Sequence, residues 1–429
     1  MIIKYFFKIF LTLVLVVYTN QSLASTIFDT LSSAFLKNLK LNAERASMRA
    51  SIEEKKEAVS EFLPSITISG YVSEQDNSGG VGDSLIKPTE QSMKVEQKIF
   101  QGFAGVAKYK KKNYGQNLAK FKLKKVEQET LLSAAKAHLD LLLNKKKVNI
   151  NLVNIDLLER QVETDENRLE KGEINLTDLS QSEASFAGAK AKLIVARNDL
   201  VTSIANFEKI VGRKPEKSIQ EVKEIILNLP TSLAEANTIS NSENPNLQIA
   251  LLEYEKSKLD VVIAGSDLSP SATLSYKVAE QENLTSAIKD RTQQTLTATA
   301  TWPLFTGGSN FFNLKKAKEI RNQKQLLFED SKQANETNVI NAWSNYQSSK
   351  SVLESIRSQV KASEIANEGI TLEYESGNSR TTLEVIQSRT ILLNARIDLA
   401  SSERNYLISQ FNLLSNVGRL TAKQLNLKQ

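Results

Sequence analysis

With 429 residues, one histidine and no cysteine, the chain is long enough for two or three domains and has no route to disulfides, thiol catalysis or cysteine-ligated metal. Lys and Arg outnumber Asp and Glu by 55 to 49, an excess spread along the chain and too modest to argue for nucleic acid. Only 16 Gly and 7 Pro among abundant Leu, Ile, Val and Ala favour long helices over a loop-rich fold.

Residues 1–24 read as a secretory signal. Lys4 and Lys8 precede an apolar run from Ile9 to Val17, and Ser22-Leu23-Ala24 forms a small-residue site before Ser25. Its removal leaves 53 basic against 49 acidic residues, a mature charge of +4. The lack of cysteine also excludes the lipid anchor of an exported lipoprotein. No other apolar run approaches the roughly 20 residues of a membrane helix, so a membrane-spanning mature chain must do it with strands.

A helical segment over 25–63 leads to two strands within 64–100. In the first, Ile66, Ile68, Gly70 and Val72 share one face against Thr67, Ser69, Tyr71 and Ser73. In the second, Met93, Val95 and Ile99 oppose Lys94, Glu96 and Lys98. A second pair lies within 270–305: Ala272, Leu274, Tyr276 and Val278 mark one strand, and Leu296, Ala298, Ala300 and Trp302 against four threonines mark the other. Each has about the 9–11 residues that a tilted strand needs to cross a bilayer. Trp302 reads as an interfacial aromatic, with core packing the alternative.

Helical hairpins occupy 101–211 and 306–418. Their long arms run without proline from about Ala104 to Glu170 and from about Ser309 to Ser376, each about 67 residues and roughly 100 Å at 1.5 Å per residue. On the last return helix one seam runs through Leu383, Ile386, Leu393 and Leu407, and a second through Val385, Leu392, Leu399 and Leu413. Two seams imply two neighbours, as in a ring of helices. Between the hairpins, 212–246 with Pro215, Pro230 and Pro245 reads as an equatorial lobe, 247–269 as a helix, and 419–429 as a tail on the lobe.

The chain repeats itself. Pro64-Ser65 returns as Pro270-Ser271 and Val211-Gly212-Arg213 as Val417-Gly418-Arg419, both shifted by 206, while Ile99-Phe100-Gln101-Gly102 matches Leu304-Phe305-Thr306-Gly307 at 205. The expected fold is thus mixed: a long α-helical coiled-coil barrel and a transmembrane β-barrel with four strands per chain. An open sheet in lipid would forfeit hydrogen bonds along both edges, and four strands cannot close around a pore. The barrel must therefore be shared between symmetry-related copies, in a number that the strand count does not fix.

The turn segments RLEKGEINLTDLSQSEA from Arg168 and LEYESGNSRTTLEVIQSR from Leu372, WPLFTGG from Trp302 and the ending LASSERNYLISQFNLLSNVG from Leu399 resemble the TolC family of outer-membrane efflux and secretion channels. The resemblance covers essentially the whole mature chain. It implies a homotrimer with a twelve-stranded barrel in outer-membrane lipid and a helical tunnel in the periplasm. Such a channel is a passive exit duct of a tripartite efflux or type I secretion system, with a periplasmic adaptor (membrane fusion) protein and an inner-membrane transporter as partners.

The resemblance also picks out a gate at the tunnel tip. Tyr374 matches the family's locking tyrosine, Asp178 its carboxylate partner and Arg380 the arginine of the same lock, one residue further from the turn than in the pattern. Glu384 and Gln387 fall on the two constriction acids, so the second acidic ring is missing, and three Glu384 side chains crowded together would be easy to neutralise. The bland reading of Asp178 and Glu384 is helix-dipole stabilisation. Gly172 and Gly377 read as left-handed caps that let the helices reverse.

The lysine clusters 108, 110–112 and 145–147 read as solvated faces, with a lipid-headgroup role the alternative for the first. His138 lies among apolar residues with no second ligand at helical spacing. No nucleophile–base set, metal cluster or phosphate loop points to an enzyme or a cofactor. The competing reading, a periplasmic coiled-coil scaffold, accounts for the helices and the signal but not for four paired strands.

Overall fold

The computed structural model describes residues 26–77, 84–216, 219–221, 225–285, 289–376 and 380–427. The signal-sequence reading and Gly377 lie outside the described residues. In chain order the elements are α1 (Ile27–Lys37), α2 (Leu39–Glu57), a 3-10 turn (Ala58–Phe62), β1 (Ser65–Val72), β2 (Gln75–Asn77), β3 (Ser84–Ile86), β4 (Thr89–Gln101), α3 (Ala104–Glu170) and α4 (Leu176–Val211). There follow α5 (Leu233–Glu243), α6 (Pro245–Ser266), β5 (Ser271–Glu282), β6 (Asp290–Thr301), α7 (Ser309–Glu375) and α8 (Thr382–Asn416). None of the described helices is long and apolar enough to cross a membrane.

These elements form two compact units, one from the described parts of 1–42, 126–244 and 336–429, the other from 43–125 and 245–335. The second unit holds an antiparallel sheet in the order β1-β4-β5-β6. Its register pairs Ile68 with Met93, Met93 with Val278 and Leu274 with Ala298, so the apolar members of all four strands share one face. Side chains on that face stand open, Ile68 at 81% and Leu296 at 69% exposure. The other face is polar: the Ser69 and Ser92 hydroxyls lie 3.0 Å apart, and Lys277 and Gln281 donate to Glu90 at 2.5 and 2.7 Å. A bulge at Ile99 leaves Phe100 opposite Ala272, which puts an aromatic ring at the end of the apolar face. After β1 a short two-stranded ladder forms, β2 with β3; three residues per strand are too few to show alternation in sequence.

In the first unit the core gathers Ile27 and Leu31 of α1, Leu131 and Ala135 of α3, Phe411 and Leu414 of α8, and Leu420 and Leu425 of the tail. The segment read as one helix from residue 25 breaks at Asn38. Its backbone is extended there, its side-chain Nδ2 donates to the Ile210 carbonyl at 3.0 Å, and its side-chain oxygen accepts from the Leu41 N–H at 3.1 Å. The tail turns back at Gly418, where φ is +86° and an added Cβ would collide with the Glu243 carbonyl. The Ala422 N–H then donates to Glu127 at 2.7 Å, which ties the last residues onto α3.

Candidate functional site: the turn ends of the two helical hairpins

The first turn closes because Gly172 adopts φ +71° after α3, with its own N–H on the Leu169 carbonyl and the Glu173 N–H on Arg168, both at 2.9 Å. Asn175 then caps α4. Its side-chain oxygen accepts from the Asp178 N–H at 3.0 Å, and the Asp178 carboxylate faces back to the Asn175 N–H at 3.4 Å. On the second hairpin α7 ends at Glu375, and α8 opens with the same reciprocal pattern between Thr381 and Glu384.

Between these ends lies a buried polar cluster. The Tyr374 hydroxyl donates to Asp165 Oδ1 at 2.9 Å and lies 3.1 Å from Thr382 Oγ1. Asp165 is wholly buried; Gln161 Nε2 donates to both its oxygens at 3.0 and 3.1 Å, and the Ser182 hydroxyl donates to Oδ2. The Arg168 guanidinium stacks 4.6 Å from the Tyr374 ring centre while its Nε donates to Glu173 at 3.1 Å. Burial, reinforced by the Asp165 carboxylate and opposed by Thr382, pushes the Tyr374 phenol above its ordinary value, so it stays a donor. One cluster thus joins α3, α4, α7 and α8.

The carboxylate paired with Tyr374 is therefore Asp165 and not Asp178, which sits in the third position of α4 with its oxygens directed to the cap of its own helix. In sequence only the spacing of Asp165 along α3 was visible, not its burial or its partners. Asn154, Leu158, Gln161 and Asp165 follow 4-3-4 spacing and are all buried, so the three polar residues on that seam need internal partners.

Arg380 donates to Glu373 at 2.6 Å and to Glu384 at 3.0 Å, so it closes the second turn within its own chain. Glu384 accepts from the Thr381 N–H at 2.8 Å, and this bond, with Arg380, holds its carboxyl below the usual range. Within one chain this acid is thus favoured as the anion. Gln387 stands exposed one turn further along α8, on the face that carries Glu384. No group of three or more His, Cys, Asp or Glu able to hold a metal occurs among the described residues.

A model of the family described as "Outer membrane efflux protein" matches residues 30–213 and again 239–419, one match for each half of the internal repeat. The chain is 26% identical over 424 residues to the outer membrane efflux protein BepC of Brucella suis biovar 1 (strain 1330), covering 96% of this chain and 90% of that protein. It is 22% identical over 427 residues to the outer membrane protein TolC of Escherichia coli (strain K12), covering 95% and 85%. In fold it is similar to the CmeC outer membrane channel of Campylobacter jejuni, with a TM-score of 0.84 over 92% of this chain and 86% of that one at 12% identity.

Proposed function

The chain belongs to the outer membrane efflux protein family and is an outer-membrane efflux channel, and from that premise we propose that three copies form one exit duct. Each copy contributes a four-stranded sheet whose edges are β1 and β6. Pairing β6 of one copy with β1 of the next gives twelve strands in a closed cylinder, its apolar face to lipid and its serine- and threonine-lined face to water. The observation that carries this reading is the shared register of the four strands, which gives a sheet of membrane-spanning length one outward apolar face.

The duct is passive. A periplasmic adaptor links it to an inner-membrane transporter that supplies energy and selects substrate, and the chain carries no catalysis of its own. The turn ends form its gate: the Tyr374–Asp165 cluster holds the two hairpins of one subunit together, and Glu384 and Gln387 of three subunits face one passage. Loosening the cluster lets the tip dilate. The strand register is evidence against the scaffold reading, since a soluble coiled-coil protein has no use for it.

Two measurements test the proposal. The purified protein should migrate as a trimer that dissociates only on heating and should form channels in planar bilayers; a monomer without conductance overturns it. Affinity isolation of the cross-linked complex should recover an adaptor and an inner-membrane transporter together.

A further inference from the structure

Both long helices begin where a strand leaves the sheet, and both beginnings are basic. Residues 97–126 contain nine lysines and no acid, and residues 291–318 contain one arginine, three lysines and no acid. Neither α3 nor α7 has an acidic residue in its first turn; α2 and α6 lack one too, whereas α1, α4, α5 and α8 each carry one there. Acids of the same chain pair with four of these lysines, Glu61 with Lys98 and Lys108, Asp260 with Lys111 and Glu54 with Lys112, whereas Lys110 and Lys315 make no salt bridge among the described residues.

Aromatic residues adjoin these lysines. Phe103 packs edge-on against Phe100, with ring centres 5.6 Å apart, and so continues the apolar face of the sheet. Val106 and Lys110 form one exposed stripe at the start of α3, and the exposed Phe103 immediately precedes that helix. On α7 the Lys315 ammonium lies 4.6 Å from the centre of the exposed Phe311 ring.

Phe103 is held where a side chain fits poorly. Its φ is +69°, and the residue at the matching place in the second half is Gly308, at +82°. A bulky residue is a rare outlier in that region, and glycine would relieve it. The 70% exposure of the ring shows that core packing does not retain it.

We propose that these two rims form a seat for anionic phospholipid of the leaflet facing the periplasm: Phe103 and Phe311 enter the boundary between acyl chains and headgroups, and Lys110 and Lys315 contact the phosphates. The seat adjoins the apolar face of the sheet and extends it by one layer, aromatic then basic, in the order in which a bilayer changes from hydrocarbon to headgroup. The inference rests on the outer-membrane placement of the sheet.

The test uses the full mature protein in vesicles of phosphatidylethanolamine and phosphatidylglycerol at seven to three. Flotation first asks whether the protein inserts; failure to float with the vesicles counts against the membrane placement itself. For inserted protein, native mass spectrometry after mild extraction counts the retained lipids. Each lysine near an anionic headgroup is worth about a factor of five. Phosphatidylglycerol should therefore be retained preferentially, with the preference lost in K110Q/K315Q and kept in K361Q, which removes a charge from the other unit. Phe103→Gly should lower retention of both lipids while leaving thermal stability in detergent equal or higher, because it relieves the backbone. Retention in K110Q/K315Q equal to wild type overturns the proposal. A Phe103→Gly protein that keeps its lipid but falls apart into monomers assigns the rim to contact between copies and overturns it too.

Discussion

Tyr374 and Asp165 are separated by 209 residues and meet at 2.9 Å, hydroxyl to carboxylate, with both side chains buried. The bond ties the end of α7 to the end of α3, and Thr382 and Ser182 bring in α8 and α4. Each helix reaches its turn by local rules, caps and left-handed residues. What fixes the two hairpins against each other at this end is a charge that cannot be left unpartnered away from water.

Tyr374→Phe removes one donor from Asp165 without leaving a cavity, and a hydrogen bond to a charged group contributes about 1.5–3 kcal/mol. The variant should lose that much unfolding free energy, seen as a lower denaturant midpoint, and show a raised leak in single-channel recordings. Asp178→Ala should instead cost about 1 kcal/mol through its cap and leave the leak unchanged. A raised leak in Asp178→Ala alone would return the lock to that residue.

Glu384 tests how the tip responds to acid. Its folded-state value lies below the ordinary 4.5, so its contribution is complete above that pH and is lost as pH falls through the lower folded value. Block of the open channel by a trivalent cation should therefore persist when the pH is taken from 7 to 4.5 and fade only below. Glu384→Ala should abolish it at every pH. Arg380→Gln should move the loss of block upward in pH, since Arg380 is the second cause of the shift after the Thr381 N–H. Block that fades near pH 6 would mean that repulsion between subunits outweighs the bonds within each.

His138 is fully buried beside Thr30, whose hydroxyl lies 2.8 Å from Nδ1. Burial, with Arg213 and Lys145 adding to it, takes its value from 6.5 down to about 4. The unfolded chain then binds the proton first as pH falls, so stability rises with pH between about 4 and 6.5 and is flat above. The shift is worth on the order of 3 kcal/mol. Denaturant unfolding at pH 7 and pH 4.5 should show wild type losing more stability than His138→Gln by up to that amount; equal losses would contradict the burial argument.

The strands were legible because their signal is a period of two over eight or more residues, and the internal repeat because Pro64-Ser65 and Val211-Gly212-Arg213 recur at one shift. The long helices were legible from their seams. Three features were not. The break at Asn38 depends on the Ile210 carbonyl, 172 residues away. The β2–β3 ladder is too short for a pattern. Asp165 looked like one acid among several on α3, and its role appears only once Tyr374 and Ser182 arrive from other helices. Local rules place caps and faces; partners drawn from distant segments need the fold.

The two faces of the sheet make the sharpest test of membrane insertion. Ile68 on β1 lies opposite Met93 on the apolar face and is 81% exposed in the isolated chain, while the next residue, Ser69, points to the polar face and meets Ser92 at 3.0 Å. An arginine at Ile68 would have to enter hydrocarbon at a cost of roughly 2–4 kcal/mol if the position is near the midplane. An arginine at Ser69 would enter the water-filled lumen and lose one weak hydroxyl contact. Ile68→Arg should therefore lower the yield of heat-resistant trimer in the outer membrane, with Ser69→Arg near wild type. Single-channel conductance supplies the second readout: Ser69→Arg should shift ion selectivity toward anions because the new charge lines the lumen, and Ile68→Arg, in whatever fraction inserts, should leave selectivity unchanged. Equal yields for the two variants, or a selectivity shift in Ile68→Arg, would reverse the assignment of faces and with it the direction in which the barrel closes.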